Sequence, residues 1–273
     1  MKVHTPIAII CIAAISLLLI GCTQTRISSF SADVSEAPEV HGFNTYQEPH
    51  TTAIRVSGTV NFDSKEDVDV DAQHRDWADK KNKEGHYEAT TFNTRGIYTI
   101  GGLDIEGKLD FLAKANLAVI GFGIAVNDGI YHHLTLGINS RYFDIGGFAG
   151  LYHHKGKITY SGSECSTVTT CEKEDWSGIH GNNSDYRISG FGGLYAGVIL
   201  GDAFFNYSFS TYTPNINAHG EGLTVPSIYS HYFILGYRIN RYIEINGGTV
   251  GTYIEDVSHW HWAGRTGLSF YWI

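Results

Sequence analysis

From Ala53 onward the chain alternates oily and polar residues with a period of two, and this constrains the fold more than any other feature. Ile54, Val56, Val60 and Phe62 share one face, while Arg55, Ser57, Thr59 and Asn61 share the other. Leu103, Ile105, Leu109 and Phe111 likewise oppose Asp104, Glu106, Lys108 and Asp110. Phe205, Tyr207 and Phe209 alternate with Asn206, Ser208 and Ser210, and Phe233, Leu235, Tyr237 and Ile239 lie opposite Ser230 and Arg238. In the last segment Trp260, Trp262, Leu268, Phe270 and Trp272 face away from His259, His261, Arg265 and Ser269. A two-residue period means strands. Segments of about ten residues, greasy on one side and ionic on the other, with aromatic residues at their ends, suit a barrel that meets lipid outside and lines a polar lumen inside. A soluble carrier barrel would reverse those faces.

Punctuation between the segments gives the strand count. Ten strands are expected, near 52–63, 94–111, 116–126, 130–139, 143–154, 186–200, 203–213, 227–239, 241–254 and 260–273, with eight to twelve as the range. The fold class is therefore all-β, an antiparallel up-and-down transmembrane β-barrel. Tight joints fall around Ala113-Lys114, Ser140-Arg141, Gly201-Asp202 and Asn240-Arg241. They alternate with 64–93, 155–185, 214–226 and 255–258, and with the short Asn127-Asp128-Gly129. Outer-membrane barrels keep short turns on the periplasmic side and long loops outside. An even count then puts both chain ends in the periplasm.

Composition agrees. Gly 32, Tyr 17 and Phe 14 against Pro 5 describe turns and aromatic faces, and a formal net charge of −9 offers no basic surface for nucleic acid. The amino terminus carries an apolar run from Ile7 to Ile20, preceded by Lys2 and followed by Gly21 and Cys22. This run is too short to span a bilayer comfortably and reads as an export signal. Leu19-Ile20-Gly21-Cys22 resembles the bacterial lipoprotein signal, which implies cleavage after Gly21 and a lipid, palmitate included, on Cys22. The expected domains are a signal peptide over 1–21, a lipid-anchored periplasmic tether over 22–50 and an outer-membrane β-barrel over 51–273. The ending Gly267-Leu-Ser-Phe-Tyr-Trp-Ile273 resembles the last strand of outer-membrane barrels, except that Ile273 stands where an aromatic residue is usual. These resemblances imply outer-membrane lipids and the lipoprotein-processing and barrel-assembly machineries as partners, with a surface ligand for the exterior loops.

Candidate chemistry is sparse. Cys165 and Cys171, an even pair in an exported chain, suggest a disulfide closing a short loop, with a two-thiolate metal site or free thiols as alternatives. His259 and His261 share a strand face, and His133, His231, Asp128, Glu255 and Asp256 belong to the same expected exterior end; an acid-histidine group there would resemble barrel proteases. Ordinary hydrogen bonding at the rim is the plainer reading. Asp67, Asp69 and Asp71 begin like a calcium loop, but Ala72 and Ala78 stand where glycine and glutamate are required, so an EF-hand is excluded. Gly121-Phe-Gly123 lacks a third glycine, and no Gly-x-Ser-x-Gly occurs. No metal or cofactor beyond the covalent lipid is expected. Inward-facing Arg55, Glu106, Lys108, Asp110, Asp144, Arg238, Glu244 and Arg265 carry both signs, and in so narrow a bore they should pair and fill it. The function expected is that of an outer-membrane lipoprotein whose barrel presents exterior loops in a structural or surface-binding role without catalysis, with a rim hydrolase or a narrow solute channel as alternatives.

Overall fold

The computed structural model describes residues 22–81, 87–167, 177–183 and 186–273. Its strands are β1 (Cys22–Asp33), β2 (Thr52–Phe62), β3 (Glu66–Lys81), β4 (Tyr87–Ile100), β5 (Asp104–Ala115), β6 (Ala118–Val126), β7 (Gly129–Asn139), β8 (Phe143–Lys155) and β9 (Ile158–Thr167). They continue with β10 (Ser177–Asn183), β11 (Tyr186–Leu200), β12 (Ala203–Tyr212), β13 (Ile216–Ala218), β14 (Glu221–Leu223), β15 (Ile228–Asn240), β16 (Ile243–Ile254) and β17 (Trp260–Trp272). Ten of them close into an antiparallel barrel in the order β11-β12-β15-β16-β17-β2-β5-β6-β7-β8. The seam is the pairing of β17 with β2, from Gly264 opposite Phe62 to Trp272 opposite Ile54. Closure gives each strand two neighbours, so no ladder of amides is left open.

The two faces separate as the alternation requires. On β7, Leu134 and Leu136 are 60% and 63% exposed, while Thr135 between them is 1% exposed. Arg55, Asp110, Asp144 and Glu244 are fully buried inside, whereas Ile54, Phe111, Ile120, Phe122, Ile145, Leu194 and Leu235 stand on the outer surface. That arrangement excludes the soluble carrier. Aromatic residues gather at both ends of the outer face. Near the long loops Trp260 stacks on Trp262 at 5.8 Å between ring centroids, with Phe233, His231 and Tyr253 around them; Tyr142, Tyr242, Phe270 and Trp272 mark the other end.

Several expectations need correction. The second strand does not run over 94–111. It breaks at Gly101 and Gly102, which take φ values of +90° and +108° that favour glycine, and only β5 enters the barrel. The first short turn is at Asn116-Leu117 rather than Ala113-Lys114, with Asn116 in the left-handed region at φ 55°. The stretches 64–93 and 155–185, expected as loops, contain β3, β4, β9 and β10, and 214–226 contains the hairpin of β13 and β14.

The largest correction concerns 22–50, which is no loose tether. β1 lies between β9, to which it is antiparallel from Cys22 opposite Thr167 to Ala32 opposite Ile158, and β4, to which it is parallel from Ser29–Asp33. The result is a five-stranded sheet, β10-β9-β1-β4-β3, beyond the long-loop end of the barrel. Its period escaped the sequence because a bulge between Ile27 and Ser29 puts the buried Ile27 and Phe30 three residues apart. Residues 34–50 then descend the lumen to Thr51, whose carbonyl accepts from Lys114 N at 2.8 Å beside the short turns. Cys22 and Ile273 therefore lie at opposite ends, and the expectation of two ends on one side is wrong. Buried Ile27, Phe30, Val34, Val40, Val68, Val70, Tyr98, Tyr131 and Tyr195 form one continuous core, so sheet and barrel are packed together.

At Gly96 on β4 an added Cβ would run into the ring of Phe30 on β1. Gly96→Val should therefore cost about 1–3 kcal/mol through overpacking. Amide exchange should accelerate over Ser29–Asp33 while protection of the barrel strands is unchanged.

Candidate functional site: a plugged lumen and an acid-histidine rim

A chain crossing a lumen has no neighbouring strand to satisfy its peptide groups, so the wall must do so with side chains. From the mouth downward, Tyr212 Oη donates to Ser35 O at 2.9 Å, Tyr232 Oη to Ala37 O at 2.6 Å and Lys108 Nζ to Glu39 O at 2.7 Å. Arg55 then donates to Gly42 O at 2.6 Å and to His41 O at 3.1 Å. Lower still, Asn139 Nδ2 donates to Thr45 O at 3.1 Å, and Lys114 Nζ to Gln47 O. Amides are met as well: Ala37 N donates to Ser230 Oγ at 2.9 Å, Asn44 N to Asp144 Oδ2 at 3.2 Å and Gln47 N to Asn139 Oδ1 at 3.0 Å. Gly42 is glycine because a Cβ there would sit 2.7 Å from Asp144 Oδ2 and 2.8 Å from Tyr195 Oη.

All eight charged residues expected in the lumen are buried there. Arg55 pairs with Asp110 at 2.6 Å, and Asp110 also meets His133 Nε2 at 3.2 Å. Lys108 lies 3.4 Å from Glu106, which accepts from Tyr131 Oη at 2.8 Å. Glu244 accepts from Asn44 Nδ2 at 2.8 Å and from Tyr271 Oη at 3.1 Å, with Arg238 at 4.0 Å. Arg265 pairs with Glu39 of the threaded segment. Much of the wall's charge thus answers this segment as well as charges across the bore. Sequence reasoning missed Glu39, His41, Gly42 and Asn44, but it had one usable signal: Tyr131, Tyr195, Tyr232 and Tyr271 share the inward register with the charges, and so many bulky phenols point to a lumen that is filled.

The histidines do not converge. His133 is sealed in the lumen, while His231 is on the outer face with Nδ1 2.8 Å from Tyr207 Oη. His259 and His261 do meet at the rim. Glu66 Oε1 is 2.8 Å from His259 Nε2 and Glu66 Oε2 is 3.0 Å from His261 Nδ1, while His261 Nε2 contacts Asp63, whose other oxygen accepts from Gly102 N. Both ring nitrogens of His261 are committed to carboxylates, which leaves none to take a proton from water. The group fastens the start of β3 to β17. The hydrogen bond from His261, with the charge of His259, holds the Glu66 carboxyl below its ordinary range. Asp128 is on the connection from β6 to β7, in a hollow with Asp33, Lys65 and His154; Asp256 and Glu255 line another with Asp69, Asp71 and Arg95. Among the described residues no group of three or more His, Cys, Asp or Glu is arranged to hold a metal ion. Cys165 is buried on β9, and its expected partner Cys171 lies outside the described residues, as does the signal over 1–21.

Among solved structures the chain is similar to the outer membrane protease OmpT from Escherichia coli, at 12% identity and a TM-score of 0.30, over 80% of this chain and 94% of that one. No protein-family model and no curated protein matches the sequence.

Arg55→Met should destabilise the folded barrel by about 3–5 kcal/mol, because Asp110 would be left buried without its partner. Urea unfolding in detergent micelles measures this, and adding Asp110→Leu should recover part of the loss. A carboxyl with a depressed folded pKa stabilises above its unfolded value, and that contribution disappears as pH falls through the folded one. Acidification should therefore loosen the rim first, raising amide exchange over Glu66–Asp71 before the barrel strands respond.

Proposed function

We propose that this chain is an outer-membrane lipoprotein whose closed barrel mounts an exterior five-stranded sheet for binding a surface partner, without catalysis. One observation carries the reading: residues 34–50 occupy the lumen and are hydrogen-bonded to its wall from mouth to base. A bore filled in this way has no water path for a solute, and its buried His133 is out of reach of a substrate. What remains accessible is the surface beyond the long-loop end. Supporting the membrane location is the continuous apolar outer face with aromatic residues at both ends. β7, at 11 residues, rises about 25 Å when tilted near 45°, which matches the apolar band of such barrels.

In this reading Cys22 carries the lipid, and a Cys165–Cys171 bridge stiffens the excursion that supplies β9 and β10. The barrel is a membrane protein independently of its lipid, so the Cys22→Ala product should still require detergent. Purified full-length protein in planar bilayers should give no current steps. Discrete conductance from the intact chain would overturn the proposal in favour of a channel, and a Cys22→Ala product that stays in buffer would overturn the membrane location.

A further inference from the structure

The expectation that a lipid on Cys22 shares a side with the short turns conflicts with the path of the chain. β1 is held by ten register pairs with β9 and five with β4, all beyond the long-loop end. Its last residues mark the entrance to the barrel: Asp33 N donates to Lys157 O at 3.1 Å and Val34 N to Thr99 O at 3.0 Å. Contacts then follow in strict order of depth, with Ala37 at Tyr232, Gly42 at Arg55, Asn44 at Glu244 and Gln47 at Lys114. Seventeen extended residues reach about 55–60 Å, comfortably more than the thickness of an outer-membrane apolar band. Cys22 itself begins a strand of 12 residues, which puts it about 36 Å along that strand from the mouth. Returning it to the short-turn side would require dismantling the sheet and emptying the lumen.

Resting on the reading of Cys22 as the lipidated residue of an outer-membrane barrel, we propose that the chain crosses the membrane through its own lumen and carries its lipid on the cell-surface side. The acyl chains and the long-loop platform then face the same compartment. Acyl chains require hydrocarbon, so the anchor serves the exterior side of the envelope instead of the periplasmic leaflet.

The test uses the full chain in intact cells and a membrane-impermeant maleimide, with labelling scored above the wild-type background. Ser28→Cys and, should that variant fail to fold, Arg26→Cys report on β1; Gly222→Cys reports on the long-loop end and Asp202→Cys on a short turn. Mass spectrometry of the same preparations reads the modification at Cys22. The expected result is labelling of the β1 cysteine to the extent seen at Gly222→Cys, with no increase when the outer membrane is opened, and labelling at Asp202→Cys only after opening. A β1 cysteine that reacts only after opening, while Gly222→Cys reacts before it, overturns this inference and leaves the barrel's orientation intact. Labelling of Asp202→Cys before opening, or an unmodified Cys22, overturns the underlying reading instead.

Discussion

Peptide groups of the threaded segment have no ladder to join, and meeting them is the task around which this barrel is organised. A buried carbonyl without a donor costs several times what an ordinary hydrogen bond contributes. The wall therefore supplies its donors at successive depths, phenols near the mouth, Arg55 and Lys108 in the middle and Lys114 at the base. Each buried cation on this route is also a charge that must be balanced, which accounts for Asp110 beside Arg55 and Glu39 beside Arg265. Plug and wall are thus one electrostatic unit.

The barrel was legible because one of its two faces is apolar and exposed while the other lines a polar lumen. Nine of the ten expected strands coincide with barrel strands within a few residues, and the exception, 94–111, runs across the Gly101-Gly102 break where a barrel strand and an exterior strand meet. The inward charges were legible for the same reason: Arg55, Asp110 and Glu244 occupy the polar register of strands whose oily register is long and regular. Residues 34–50 were illegible by any period. Their conformation answers donors scattered over several wall strands, and nothing within the segment repeats. β1 was hidden differently, by a bulge that shifts its buried residues out of phase.

The acid-histidine rim shows how residue types that suggest catalysis can serve as fasteners. His259 and His261 share a face as the strand period requires, and the structure adds Asp63 and Glu66 from the first excursion. A general base needs a nitrogen turned toward solvent, while here the imidazole of His261 bridges two carboxylates. His231 faces outward because β15 carries its even register, Ser230 and Tyr232, inward, while His133 faces inward but is held against Asp110 inside the lumen, so sharing one half of the barrel does not bring them to His261.

Apart from the β17–β2 seam, most neighbouring wall strands follow one another closely in the chain, but the plug meets partners far from it. Ala37 meets Ser230 across 193 residues and Glu39 meets Arg265 across 226. Contacts so remote form late, since the intervening chain must first be ordered. The plug is therefore ordered only once β15 and β17 are in place, and until then something other than the finished cylinder must keep that stretch extended and unoccupied.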